Sequence, residues 1–158
     1  MRVFGIAGWK NTGKTGLTER LVAEFTARGL AVSTVKHAHH AARIDLPGSD
    51  TDRHRIAGAR EVMLATESGW ALVHRTPEPD LGALLSRMAP VDLVLVEGFK
   101  RVEVPKLLCH REAAGQRPDL GLPGVLAVAS DVPLDAPVPV LPLDDTGAIA
   151  DFIEGAVR

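Results

Sequence analysis

At 158 residues and 46% hydrophobic content the chain can bury one good core and is too short for two ordinary domains, so a single domain over residues 1–158 is expected. A net charge of −2 with no long basic run lacks the electrostatic footprint of a dedicated nucleic-acid binder. The one cysteine, Cys109, cannot form an intramolecular disulfide, no basic-then-apolar leader precedes the first strand-like segment, and no apolar stretch approaches the roughly 18 to 20 residues of a membrane-spanning helix, which together point to a cytoplasmic protein with no membrane partner.

Val3 to Ala7 is a first apolar run, followed by a glycine-containing loop and then by Leu17, Leu21, Val22 and Phe25 on one helical face. Gly29 is a natural helix stop, and Leu30 to Val35 reads as a second strand, which completes a βαβ unit. Residues 37 to 55 are polar, rich in His and Asp and broken by Pro47-Gly48, as expected of a long functional loop running into a short helix. Glu61 to Ala65 and Trp70 to Val73 read as short strands around a Glu67-Ser68-Gly69 turn, and Leu81 to Met88 reads as a helix after Pro77-Glu78-Pro79. Val91 to Val96 is almost continuously apolar, which suits a strand of a parallel sheet covered on both faces. Lys106 to Cys109 and Val125 to Ala129 read as further strands on either side of a surface stretch, 111 to 124, and Thr146 to Val157 as a closing helix. The composite is an α/β domain with a mostly parallel sheet flanked by helices, of the P-loop NTPase type.

Gly8-Trp9-Lys10-Asn11-Thr12-Gly13-Lys14-Thr15 carries Gly, Gly, Lys and Thr at the fixed positions of a phosphate-binding loop. A match at four such positions arises by chance in on the order of 10⁻⁵ of windows, so an accidental hit in a chain this short is a poor explanation. The context also fits, because the match leaves a strand and opens a helix. Gly8 and Gly13 let the backbone turn its N–H groups toward phosphate oxygens, and the helix beginning at Lys14 adds its N-terminal dipole. Lys14 is expected to reach the β- and γ-phosphates and the Thr15 hydroxyl to ligate Mg²⁺. Asp92 and Glu97 stand at opposite ends of one strand, and ligands of parallel sheets bind at the carboxyl ends, so Glu97 is the expected second Mg²⁺ residue. A Glu97 that merely bonds loop backbone is the alternative.

Lys36-His37-Ala38-His39-His40, with Asp45, Asp50, Asp52 and His54, is the most titratable stretch of the chain. It can hold a transition metal, contact a second phosphate or oxyanion, or be a solvated loop. Spacing is poor for a closed zinc site, since no cysteine contributes and adjacent His39 and His40 seldom converge on one ion. Arg53 and Arg55 favour an anionic partner. Lys100 and Arg101 place two further cations beyond Glu97, and with Lys10 and Lys36 they can balance a polyanion or be ordinary surface residues.

The phosphate loop, the Lys36 to His40 stretch, Asp45 to Gly48, Arg53 to Ala59, Leu95-Val96-Glu97-Gly98-Phe99-Lys100, Pro105-Lys106 and Asp144-Asp145 together resemble the molybdopterin-guanine dinucleotide biosynthesis protein B family, MobB. The resemblance spans nearly the whole chain. It implies a dimeric GTP-binding accessory protein of molybdenum cofactor maturation that works beside a guanylyltransferase, contacts molybdopterin or a molybdoenzyme, uses Mg²⁺, and hydrolyses GTP slowly if at all. Gly16 departs from the Ser or Thr often found after the loop's Lys-Thr pair, which alters helix packing there and leaves Thr15 unaffected. No Asn-Lys-x-Asp guanine reader exists, so GTP rests on the resemblance; Asp131, after Val125 to Ala129, is a candidate for guanine N1 and N2, or a simple turn former. A P-loop kinase or synthetase acting on a small anionic acceptor, and a non-catalytic adaptor, are the competing classes.

Overall fold

The computed structural model describes residues 1–38, 45–74 and 80–157. They fall into two compact units, one of residues 1–37 and 88–158 and one of residues 38–87.

The larger unit is a six-stranded sheet, β1 (Arg2–Gly8), β2 (Val32–Lys36), β5 (Leu93–Glu97), β6 (Lys106–His110), β7 (Val125–Ser130) and β8 (Val140–Pro142), in the order β2-β5-β1-β6-β7-β8. Every neighbouring pair is parallel. Alternate side chains of the inner strands point to opposite faces. Phe4, Ile6, Leu93, Leu95, Leu107, Cys109, Ala127 and Ala129 meet Leu17, Leu21 and Phe25 of α1 (Lys14–Ala27) and Ile149, Ala150 and Ile153 of α4 (Thr146–Ala156) in one core. On the other face Ala7, Leu108 and Val128 are covered by Leu120, Leu122, Leu134 and Val138 from irregular segments. Covering on both faces is why β5 is apolar at four successive positions, Leu93 to Val96, all of them buried.

Strand boundaries follow from where individual N–H groups go. The helix α1 ends in a Schellman motif, Gly29 N–H to Thr26 O and Leu30 N–H to Phe25 O, both 3.0 Å. The Ala31 N–H then donates to the Asp92 carboxylate at 2.8 Å. With Leu30 and Ala31 so committed, β2 starts at Val32, two residues later than the apolar pattern suggests. The short β8 is absent from the sequence reading because it is a three-residue edge strand ending in Pro142, where proline is tolerated and period-2 patterning has no room.

In the smaller unit, α2 (Asp50–Ile56) is capped by Ser49, whose hydroxyl accepts from Asp52 N–H. It packs on a hairpin of β3 (Glu61–Thr66) and β4 (Gly69–His74), which pair from Glu61↔His74 to Thr66↔Gly69 around Glu67-Ser68. Met63, Leu64 and Trp70 on this hairpin are exposed. The helix α3 (Leu81–Leu85) stops short of the expected Met88, because the Ser86 hydroxyl bonds back to Ala83 O and Pro90 follows closely. Among the described residues no helix is long and apolar enough to cross a membrane.

Candidate functional site

The phosphate-binding motif occupies the turn between β1 and α1, at the carboxyl end of the sheet. Gly8 has φ 141°, and a Cβ there would lie 2.6 Å from the Cys109 carbonyl oxygen, so this position admits only glycine. Asn11 adopts φ 64°, a left-handed conformation that Asn tolerates better than most residues. Thr12 is fully buried and its hydroxyl donates to the Trp9 carbonyl at 2.9 Å, closing the loop on itself. The helix starts from Gly13 with no side-chain cap and no acidic residue in its first turn. Its leading N–H groups and positive dipole end are thus left to an incoming anion.

The Lys14 ammonium folds over the loop and donates to the Trp9 carbonyl. Partial burial lowers its pKa below the usual lysine value, and an anion docked on the loop would offset that cost. Trp9 is itself held, its indole N–H donating to the Arg117 carbonyl at 3.0 Å while the Lys100 ammonium sits 4.4 Å above its ring. Lys10 is exposed on the same loop.

Parallel pairing of β5 with β1 aligns Ile6 with Glu97 and so delivers the Glu97 carboxylate to the start of α1. Its oxygens lie 3.1 and 3.3 Å from the Thr15 hydroxyl. The Lys36 ammonium, from the end of β2, bridges the pair at 3.1 Å from Glu97 and 3.2 Å from Thr15. Three side chains from three elements therefore converge, with Glu97 only 8% exposed. A hydroxyl and a carboxylate are hard oxygen donors of the kind Mg²⁺ takes, and the bridging ammonium shows that the spot favours positive charge, so these residues fit a divalent cation. Asp92 emerges at the opposite end of β5, where it holds Ala31 N–H.

The turn after β5 is built on Gly98 and on Phe99, whose φ is 45°. Phe99 stacks on His37 at 4.6 Å between ring centroids, and His37 N–H donates to Glu97 O at 2.8 Å. Lys106 is buried to 1% exposure, and its ammonium donates to the carbonyls of Lys100 and Val102. It pins the turn that carries Lys100. Burial lowers the Lys106 pKa as well.

The remaining candidates of the polar stretch belong to the smaller unit. His39 and His40 lie outside the described residues. Asp45 accepts from Thr51 at 2.7 Å, and one of its oxygens is buried without a hydrogen-bond partner. Arg53 pairs with Asp50 at 3.6 Å, while His54 is exposed on α2. Arg55 bonds Asp52, whose carboxyl is held below the usual carboxylate range first by the Gly48 N–H and then by Arg55. Among the described residues no group of three or more His, Cys, Asp or Glu is arranged to hold a metal ion.

Asp131 follows β7 at the carboxyl end of the sheet, where one oxygen accepts the Glu112 N–H at 2.9 Å. That bond orders a 3₁₀ turn over Glu112–Ala114, inside the stretch whose composition suggests only surface loop. Arg111 is the residue the sequence reading missed. A Cβ on Gly13 would lie 2.9 Å from its Nε, and its guanidinium stands 4.0 Å from Asp131 and 3.8 Å from Asp144. The available signal was its place directly after β6, the neighbour of β1.

Comparison with known proteins places these features in context. A family model described as molybdopterin guanine dinucleotide synthesis protein B matches residues 3–131. The molybdopterin-guanine dinucleotide biosynthesis adapter protein of Escherichia coli K12 is 42% identical, over 96% of this chain and 90% of that protein. The Haemophilus influenzae adapter protein is 41% identical over 96% of this chain and 87% of its own length. The crystal structure of a MobB homologue from Bacillus stearothermophilus superposes with a TM-score of 0.73 at 31% identity, over 100% of this chain and 99% of that one.

Proposed function

Because the chain belongs to the molybdopterin guanine dinucleotide synthesis protein B family, we propose that it is the adapter of molybdopterin guanine dinucleotide biosynthesis, and that it does this work as a cytoplasmic GTP-binding protein. The observation that carries the nucleotide part of this reading is the convergence of Thr15, Glu97 and Lys36 at the uncapped start of α1. Loop N–H groups and Lys14 hold the β- and γ-phosphates, and Lys100, above Trp9, adds positive charge at the loop's flank. Thr15 and Glu97 hold Mg²⁺, which supplies charge neutralisation on the phosphate oxygens when bound. For it to enter, Lys36 must swing from the same two oxygens toward the phosphates.

Hydrolysis is slow in this reading. The single glutamine of the sequence, Gln116, belongs to the segment after β6 and not to the loop, and the guanidinium of Arg111 faces two carboxylates. The protein acts as a homodimer beside the guanylyltransferase that joins GMP to molybdopterin, with the exposed hairpin residues Met63, Leu64 and Trp70 available for pairing between copies. Titrating purified protein with GTP, ATP and molybdopterin, and measuring multiple-turnover phosphate release with and without small anionic acceptors, tests the proposal. Tight GTP binding with release far below one per second supports an adapter, whereas rapid turnover with one acceptor would make the protein a kinase or synthetase.

A further inference from the structure

We propose that Lys36 is a tethered competitor of the divalent cation: its ammonium closes the Thr15–Glu97 pair to metal until an incoming polyphosphate draws it away, which makes metal uptake conditional on bound nucleotide. This regulation of the site rests on the nucleotide-binding reading. Thr15 Oγ and Glu97 Oε1 stand 3.1 Å apart. Neighbouring ligands of an octahedral Mg²⁺ with bonds of 2.0–2.1 Å stand about 2.9 Å apart, so the two oxygens are spaced for one ion. The Lys36 Nζ lies 3.1 Å from Glu97 Oε1 and 3.2 Å from Thr15 Oγ, against both of those atoms. An ammonium and a divalent ion need the same oxygen lone pairs and repel one another, so the pair admits one of them at a time.

The sheet fixes the root of this side chain and leaves its tip free. Lys36 is the last residue of β2, it stands in register with Glu97, and the next N–H, that of His37, donates to the Glu97 carbonyl at 2.8 Å. The Lys36 side chain is 56% exposed, whereas that of Glu97 is 10% exposed. A flexible four-carbon stem lets the ammonium turn from the pair to the phosphate loop with no backbone movement, and the buried carboxylate stays behind.

Charge decides when it turns. The Lys14 pKa is lowered first by burial, and Lys100 and Lys36 lower it further, so three ammonium groups share the field of the loop with the one carboxylate of Glu97. A free divalent ion adds to that excess of positive charge and meets a pair already engaged. A triphosphate at the uncapped start of α1 reverses the balance, because its oxygens compete with Glu97 for the ammonium. Lys36 then serves the phosphates, and Thr15 and Glu97 open together. A neutral side chain at this position would leave the pair open to metal at all times.

Mn²⁺ alone, followed by its EPR signal with no nucleotide present, tests the competition. Wild-type protein is expected to take up little Mn²⁺ below about 1 mM, and the neutral variants Lys36→Met and Lys36→Ala to gain one site at least about tenfold tighter. Adding Glu97→Gln to either variant should abolish the gained site, and Lys36→Arg, which keeps the charge, should keep the pair closed. In titrations with a fluorescent GTP analogue, binding in EDTA should weaken in Lys36→Met, while the factor by which Mg²⁺ tightens binding should grow by about tenfold. A Lys36 that only supported the fold would change neither the Mn²⁺ uptake nor that factor. Tight Mn²⁺ binding by nucleotide-free wild type overturns the proposal, as do folded Lys36→Met and Lys36→Ala proteins that take up no more Mn²⁺ than wild type. Unchanged GTP affinity in Lys14→Ala would instead remove the nucleotide reading and leave the Mn²⁺ comparison standing.

Discussion

The two acids of β5 allow a sharp comparison, because they lie on one strand and chain direction alone decides between them. Five residues at about 3.3 Å each separate Asp92 from Glu97 by roughly 16 Å, so they cannot serve one cation. The parallel register puts Glu97 within 3.1 Å of the Thr15 hydroxyl, whereas Asp92 accepts Ala31 N–H at 2.8 Å at the other end. Glu97→Gln keeps the shape and removes the charge. A bond to a charged group is worth about 1.5–3 kcal/mol, so Mg²⁺-dependent GTP affinity should fall by about tenfold to a hundredfold. Asp92→Asn retains an amide oxygen for Ala31, and its effect on affinity should stay within about 0.5 kcal/mol. The assay is titration of a fluorescent GTP analogue with both variants, with Mg²⁺ and with EDTA. The Glu97→Gln loss must be confined to the Mg²⁺ arm, because without metal the buried carboxylate only repels the phosphates. A metal-dependent loss in Asp92→Asn as large as that in Glu97→Gln would refute the assignment of the site.

Lys14→Ala should weaken nucleoside triphosphate binding by at least about tenfold with unchanged circular dichroism, since it removes a charge contact and no core atom; equal GTP affinity in the folded variant would contradict the loop chemistry. Lys106→Met should cost about 1–3 kcal/mol of stability in urea unfolding by leaving the Lys100 and Val102 carbonyls without their donor, and should loosen Lys100 from Trp9, seen as altered Trp9 fluorescence. Burial pushes the Cys109 thiol from 9.0 up to about 12. Its folded-state pKa is raised, so the stability it contributes is complete below pH 9 and is lost as pH rises toward 12, with a limiting slope of about 1.4 kcal/mol per pH unit. Lys14 and Lys106, both lowered by burial, act in the opposite sense below their usual 10.5, so the informative measurement compares wild type with Cys109→Ala, in which the alkaline decline should be shallower. Sedimentation at micromolar concentration should give twice 16.8 kDa, and Trp70→Lys on the exposed hairpin should shift it toward monomer; a wild-type monomer with and without nucleotide would remove the dimer.

Features that repeat locally were legible from residue order alone. The phosphate loop could be read because its chemistry needs consecutive residues, Gly8 to Thr15, and those same residues make the turn and open the helix. The strand of Val91 to Val96 could be read because covering on both faces demands an unbroken apolar run, and Glu97 could be chosen over Asp92 once that strand was taken as parallel. Tertiary structure decided what depends on partners distant in sequence. Leu30 and Ala31 look like strand but spend their N–H groups on Phe25 and Asp92, 61 residues away in the second case. Lys36 reads as one loop cation among several, and only the β2–β5–β1 order puts its ammonium on the Thr15–Glu97 pair. Arg111 and His110 follow one another in the chain, yet alternation along β6 sends the first toward Gly13 and the second to Ser130. A sequence states which groups are available, and the pleat and strand order determine which of them meet.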